Sequence, residues 1–109
     1  MLNKFLYILR KKSNREMEEG EITKEKLDRM VKEGAVLIDV RSPQEYNEGH
    51  LQGAISIPEY ELKQRKEELP KNKDTKIILY CSTGRRSKKG KNKLEKMGYK
   101  NVYNLYNGI

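Results

Sequence analysis

Two short apolar runs, Val36-Leu-Ile-Asp-Val40 and Ile77-Ile-Leu-Tyr80, constrain the fold of this chain more than any other feature. The first is too short and too β-branched for a helix and reads as a buried parallel strand. Around both lie segments with helical punctuation. Thr23 caps a helix predicted to run through Glu33, with Leu27, Met30 and Val31 facing inward and Gly34 ending it. Ser42-Pro-Gln-Glu45 is a capping box with proline at the first helical position, and Gly49 stops that short helix. Further strands are predicted at Glu21–Thr23, over 53–58 and over 101–105. A charged helix is expected from Glu59 to about Leu69, closed by Pro70, and another from Ser87 to Met97, stopped by Gly98. Strands alternating with helices imply an α/β fold, a small and mainly parallel sheet with helices on both faces.

Ligands of such sheets sit beyond the carboxyl ends of the strands. Two of those ends carry polar residues, Asp39 with Arg41 and the sole cysteine, Cys81. After Cys81 come Ser82-Thr-Gly-Arg-Arg86 and then the basic helix from Ser87. Strand, tight loop, helix start: that order aims backbone N–H groups and the positive end of a helix dipole at one sulfur atom. Such a setting favours a thiolate and holds anions beside it.

At 109 residues the chain is one domain with a single modest core. Hydrophobic residues make up 35% and charged residues 37%, so the surface is strongly solvated. No run approaches the roughly 18 apolar residues of a membrane span. Leu2, Phe5, Leu6 and Leu9 fall at helical spacing, which predicts a short amphipathic helix in the first dozen residues. Residues 13–20 read as a polar linker. The opening apolar stretch is short, charges interrupt and follow it, and it lacks a small-residue cleavage site, so the expected location is the cytoplasm. A single cysteine cannot form an internal disulfide, which fits a reducing compartment.

The net charge of +8 is unevenly placed: residues 76–109 hold nine Lys/Arg against one acid. Three readings of this cluster stand, a solvated helix face, a site for a small anion, and a nucleic-acid surface. Against the last, no helix-turn-helix, zinc-finger or aromatic-stacking pattern accompanies the lysines.

The motifs taken in order resemble the rhodanese family of sulfurtransferases from about Glu21 to Gly108. The markers are Leu37-Ile-Asp-Val-Arg41, Glu45-Tyr46, Gly49-His-Leu-Gln-Gly-Ala54 leading to Ile57-Pro58, Tyr80-Cys-Ser-Thr-Gly-Arg-Arg-Ser87, Leu94 with Gly98-Tyr99, and Val102 with Leu105. The resemblance implies a rhodanese-like domain over 21–109 without the helix, often bearing Trp, with which family members usually end. Residues 1–20 then form an N-terminal extension.

It also implies a chemistry, movement of a sulfane sulfur from thiosulfate or a similar donor through a Cys81 persulfide. A free cysteine with a pKa of ~8.5 is mostly protonated at neutral pH. Activation is therefore expected from the N–H groups of residues 82–86, the dipole of the following helix and the nearby arginines. Gly84 lets the loop curl, while Ser82 and Thr83 keep its mouth open. Arg85 either faces an anionic donor or is a plain solvent charge. Arg86 resembles a structural clasp with Glu45 as its partner. Asp39, Arg41, Glu45 and Ser87 are assigned to support, with Arg41 a candidate for the pocket rim. His50 is given a structural role in its Gly-His turn rather than a catalytic one.

With no second cysteine, the acceptor must be an external thiol or cyanide, a protein thiol included, and with no metal-ligand cluster the cycle is expected to need no metal or organic cofactor. Two alternatives remain. A persulfide carrier or protein-binding module would turn over thiosulfate poorly. Cysteine phosphatases resemble Cys-x5-Arg, whereas Cys81 to Arg86 is Cys-x4-Arg.

Overall fold

A computed structural model describes residues 15–109. The helix expected in the first dozen residues lies outside the described residues. In chain order the elements are β1 (Glu21–Ile22), α1 (Lys24–Lys32), β2 (Val36–Asp39), α2 (Pro43–Asn47), β3 (Ile55–Ser56), β4 (Lys76–Tyr80), α3 (Arg85–Lys96) and β5 (Asn101–Leu105). All five strands run parallel in the order β1-β5-β4-β2-β3, so β4 is the central strand.

The pleat divides the core between two layers. On one face Ile38, Val40, Ile77, Leu79, Cys81 and Val102 pack against Leu62, Leu69 and Leu94. On the other, Ile22, Leu37, Ile78, Tyr80 and Leu105 pack against Leu27 and Met30 of α1, with Tyr46 of α2 beside them. The alternation along β4 therefore places Cys81 on the same face as α3, one step beyond the last strand residue. Gly90 lets α3 lie close there, since a Cβ would stand 2.9 Å from Leu79 Cδ1 and 3.0 Å from Leu62 Cδ1.

Three expected boundaries are corrected. The strand over 53–58 contracts to Ile55–Ser56, at the sheet edge beside β2. The helix expected from Glu59 to Leu69 is instead two 3-10 turns, Glu59–Glu61 and Lys66–Glu68. Its anchors explain the break: Leu62 and Leu69 are buried, but no apolar residue between them holds a middle turn onto the sheet. α3 starts at Arg85, two residues early, because Gly84 at φ 99° takes the N-cap position and its carbonyl accepts the first intrahelical bond from Lys88 N–H at 3.0 Å. A β-carbon disfavours that left-handed conformation.

Beneath the carboxyl ends of β2 and β4 lies a buried polar network. The Asp39 carboxylate accepts from Arg41 N–H at 2.9 Å, from Arg41 Nη2 at 2.7 Å and from the Tyr80 hydroxyl at 2.8 Å. The same hydroxyl accepts from Leu51 N–H at 3.0 Å, and Arg41 Nη2 also donates to Gly49 O at 2.6 Å. Burial pushes the Tyr80 phenol up to about 12; Asp39 adds to the rise and the Leu51 N–H opposes it, so the hydroxyl stays a neutral donor. The Gly49–Ala54 turn is thus tied to the central strand by side chains. Tyr80→Phe should leave the Leu51 N–H and one Asp39 lone pair short of partners and lower stability by about 1–3 kcal/mol. Urea denaturation, with an unchanged m-value, checks this.

Candidate active site

Cys81 leaves β4 with its side chain 0% exposed. The chain then curls so that Gly84 N–H donates to Sγ at 3.0 Å and Ser87 N–H at 3.3 Å. The Ser87 hydroxyl lies 3.6 Å from Sγ and 3.1 Å from Gly84 O, within donating reach of either. Burial pushes the thiol up, but the Ser87 N–H, the Ser87 hydroxyl and the N–H groups of Thr83 and Gly84 together outweigh it. The net direction is below the ordinary thiol range. Hydrogen bonds to the charged form overcome desolvation here.

The predicted clasp is present. Arg86 donates to both Glu45 oxygens, at 2.7 and 3.1 Å, and to Ser82 Oγ at 3.1 Å. Glu45 also accepts from Ser42 N–H at 3.0 Å as the second half of its capping box. Arg86 first, then the Ser42 N–H, hold the Glu45 carboxyl down to about 2. One guanidinium thereby fixes the start of α2 to the rim of the sulfur loop. Arg85, by contrast, is exposed, and its side chain has no partner among the described residues; only its N–H reaches Thr83 Oγ1, at 3.5 Å.

Asp39 and Arg41 stand at the end of the neighbouring strand, engaged with Tyr80 and Gly49. His50 is exposed, stacked on Tyr46 at 3.6 Å with Nδ1 2.8 Å from Tyr46 O. Its ring is held within its own turn.

Sequence reasoning missed two supports. Residues 15–20 of the segment read as a polar linker pack along the loop and α3. Arg15 pairs with Glu21, a carboxylate only 3% exposed, and lies over the Tyr106 ring. The Tyr106 hydroxyl donates to Arg15 O, and Glu18 pairs with Lys88 at 2.6 Å. A β-carbon on Gly84 would stand 3.9 Å from Arg15 Nη2, so this strap borders the loop directly. The second support is the segment after β5. Ile109 N–H donates to Cys81 O at 3.0 Å, and Gly108 lies so near that a Cβ would be 2.3 Å from that oxygen. The signal for the strap was Glu21 itself, a carboxylate on a predicted strand that needs a cation when buried.

Because the thiol titrates lower folded than unfolded, its contribution to stability is complete above the unfolded value and is lost as pH falls through the folded one. Ser87→Ala keeps the N–H and removes the hydroxyl. The thiolate titration, followed by ultraviolet absorbance, should move up toward the ordinary thiol range, and the pH at which stability rises should move up with it.

Residues 23–109 match the rhodanese-like domain family. Over 67 residues the chain is 43% identical to the thiosulfate sulfurtransferase PspE of Escherichia coli (strain K12), covering 62% of this chain and 64% of that protein. Over 75 residues it is 45% identical to the protein YqhL of Bacillus subtilis (strain 168), covering 69% of this chain and 58% of the relative. It therefore spans less than two thirds of the length of these relatives. A solved E. coli rhodanese with anions superposes at a TM-score of 0.61 with 39% identity, covering 69% of this chain and 86% of that one. The human single-domain sulfurtransferase TSTD1 superposes at 0.75 with 22% identity, over 84% of this chain and 93% of that one, a likeness of fold. With the parallel sheet, the cysteine at the end of its central strand and this family match, the chain belongs to the rhodanese-like family.

Proposed function

We propose that the protein is a sulfurtransferase that moves a sulfane sulfur from thiosulfate or a similar anionic donor to a thiophilic acceptor. The observation that carries this reading is the pair of backbone N–H groups directed at Cys81 Sγ with the thiol held below its ordinary range. The Cys81 thiolate attacks the outer sulfur of thiosulfate, the sulfur–sulfur bond of the donor breaks, and sulfite leaves with the electron pair. Cys81 then carries a persulfide whose terminal charge faces the same N–H groups. An external thiolate or cyanide attacks the outer sulfur and returns Cys81 as thiolate.

In this cycle Ser82, Thr83, Gly84, Arg85 and Arg86 form the substrate loop, and Asp39, Arg41, Glu45 and Ser87 hold it in place. Full burial of Cys81 means that a donor reaches the sulfur only after the loop or the 107–109 segment shifts aside. The anions that accompany the solved E. coli rhodanese favour an anionic donor. We take 21–109 as the transfer unit, 1–20 as its extension and the cytoplasm as its location. Among the described residues no helix is long and apolar enough to cross a membrane, and no cluster of His, Cys, Asp and Glu has the make-up of a metal site.

A second reading, a persulfide carrier with little turnover on thiosulfate, is favoured by that burial and by 36% identity over 73 residues to the putative sulfur carrier protein YrkF of Bacillus subtilis (strain 168). Mass spectrometry of the intact chain after thiosulfate treatment separates the cases. The expected result is a gain of one sulfur atom, reversed by cyanide and absent in Cys81→Ser. Removal of the sulfur by a protein thiol but not by cyanide would mark a carrier. No gain, with hydrolysis of an aryl phosphate instead, would overturn both.

A further inference from the structure

α3 carries more cations than its neighbours neutralise, and the excess is arranged. Lys88 pairs with Glu18 at 2.6 Å, Lys91 with Glu95 at 2.7 Å, and Lys93 with Glu59. Arg85, Lys89 and Lys96 have no ion-pair partner among the described residues, and all three are exposed. With Asn92 they fall at i, i+4, i+7 and i+11, one stripe along the solvent face of the helix. Glu95, the one acid of residues 76–109, is already engaged by Lys91. The stripe starts at Arg85, next to the Gly84 whose N–H holds Sγ, and runs roughly 16 Å away along the helix.

The chemistry at its near end states what a partner must bring. Cys81 is the only cysteine, so a persulfide formed there has no resolving thiol in the chain. We propose, resting on the sulfur-transfer reading, that the solvent face of α3 docks an acidic protein bearing the acceptor thiol. Carboxylates around that thiol meet Arg85, Lys89 and Lys96. The acceptor thiolate attacks the outer sulfur of the Cys81 persulfide, the persulfide bond breaks, Cys81 leaves as thiolate, and the partner departs as a persulfide. Nucleic acid fits the stripe less well, because it brings no thiol and the stripe presents no aromatic side chain for stacking.

The test uses the full chain, persulfidated with thiosulfate, and synthetic peptides of equal length whose single cysteine is flanked by glutamates or by glutamines. Sulfur should move to the glutamate peptide about tenfold faster at low ionic strength. High salt and the double variant Lys89→Glu/Lys96→Glu should abolish the advantage, with transfer to cyanide unchanged. Glutamate flanks raise the peptide thiol's pKa and slow its intrinsic attack, so a faster transfer reports docking and not reactivity. Equal rates to both peptides, with the persulfide formed and passed to cyanide, would overturn the docking surface and leave the sulfur-transfer reading standing. Failure to form the persulfide would remove the sulfur-transfer reading. The surface is then judged by fluorescence anisotropy with serine-for-cysteine peptides: tighter binding of the glutamate peptide, lost on charge reversal, upholds it, and equal binding overturns it. Loss of transfer RNA binding in the double variant, with peptide behaviour unchanged, would overturn it in favour of a nucleic-acid face.

Discussion

The N–H groups of Gly84 and Ser87 converge on one sulfur atom, and most of the site is arranged around keeping them there. A thiolate at the end of an inner strand is costly, because burial favours the neutral thiol. Here the amides reverse that preference, and the balance depends on direction as much as distance. Gly84 must be left-handed for its N–H to turn inward while its carbonyl starts α3. Ser87 must sit three residues on, in the first turn, where helical N–H groups have no partner of their own. Sulfur therefore supplies the missing acceptor for a helix end, and the helix end supplies the charge stabilisation that sulfur lacks.

Around this junction the arginines have separate tasks that their shared charge conceals. Arg41 is spent on Asp39 and the Gly49 carbonyl, deep under β2. Arg86 ties the loop rim to α2 through Glu45. Arg15 neutralises Glu21 at the edge of the sheet and stacks on Tyr106. Arg85 alone among them faces solvent without a carboxylate partner among the described residues. A positively charged neighbourhood thus reduces to one available guanidinium at the loop, continued by two lysines along α3.

The fold was legible where local and long-range signals agree. Val36–Val40 and Ile77–Tyr80 are largely apolar because β2 and β4 are inner strands, and the Ser42–Glu45 capping box marks its own helix start. The Cys81 loop was legible for the same reason, since strand, glycine and helix start are contiguous. Residues 59–69 were not: charges at every spacing mimic a helix, whereas burial of Leu62 and Leu69 alone decides the outcome. Nor was Tyr80, which sits within an apolar run and gives no sign that its hydroxyl serves Asp39 and Leu51. The strap was hidden because Arg15 and Glu18 find partners only after the sheet brings Glu21 and Lys88 near them. Composition alone made that segment a linker.

Buried polar groups at the carboxyl ends of the strands seldom add net stability over well-packed apolar ones. Their retention here has a geometric reason. Asp39, Arg41 and Tyr80 lock the Gly49 turn to β4, Glu45 and Arg86 lock α2 to the loop, and the 107–109 segment holds the Cys81 carbonyl. Three ties from three directions therefore meet within six residues of the sulfur. Of these groups Arg86 also attracts the thiolate by charge, but the larger lowering of the thiol comes from hydrogen bonds of Ser87, Thr83 and Gly84, and each tie limits how far those donors can drift. On the sulfur-transfer reading, a loop so restrained at its rim and base still has to admit a donor. The side chains with the fewest ties are those of Thr83 and Arg85 at its crest, exposed on either side of the buried Gly84. Access and anchoring are thereby assigned to different residues of the same short loop, and the cation at the crest is the one that leads into the α3 stripe.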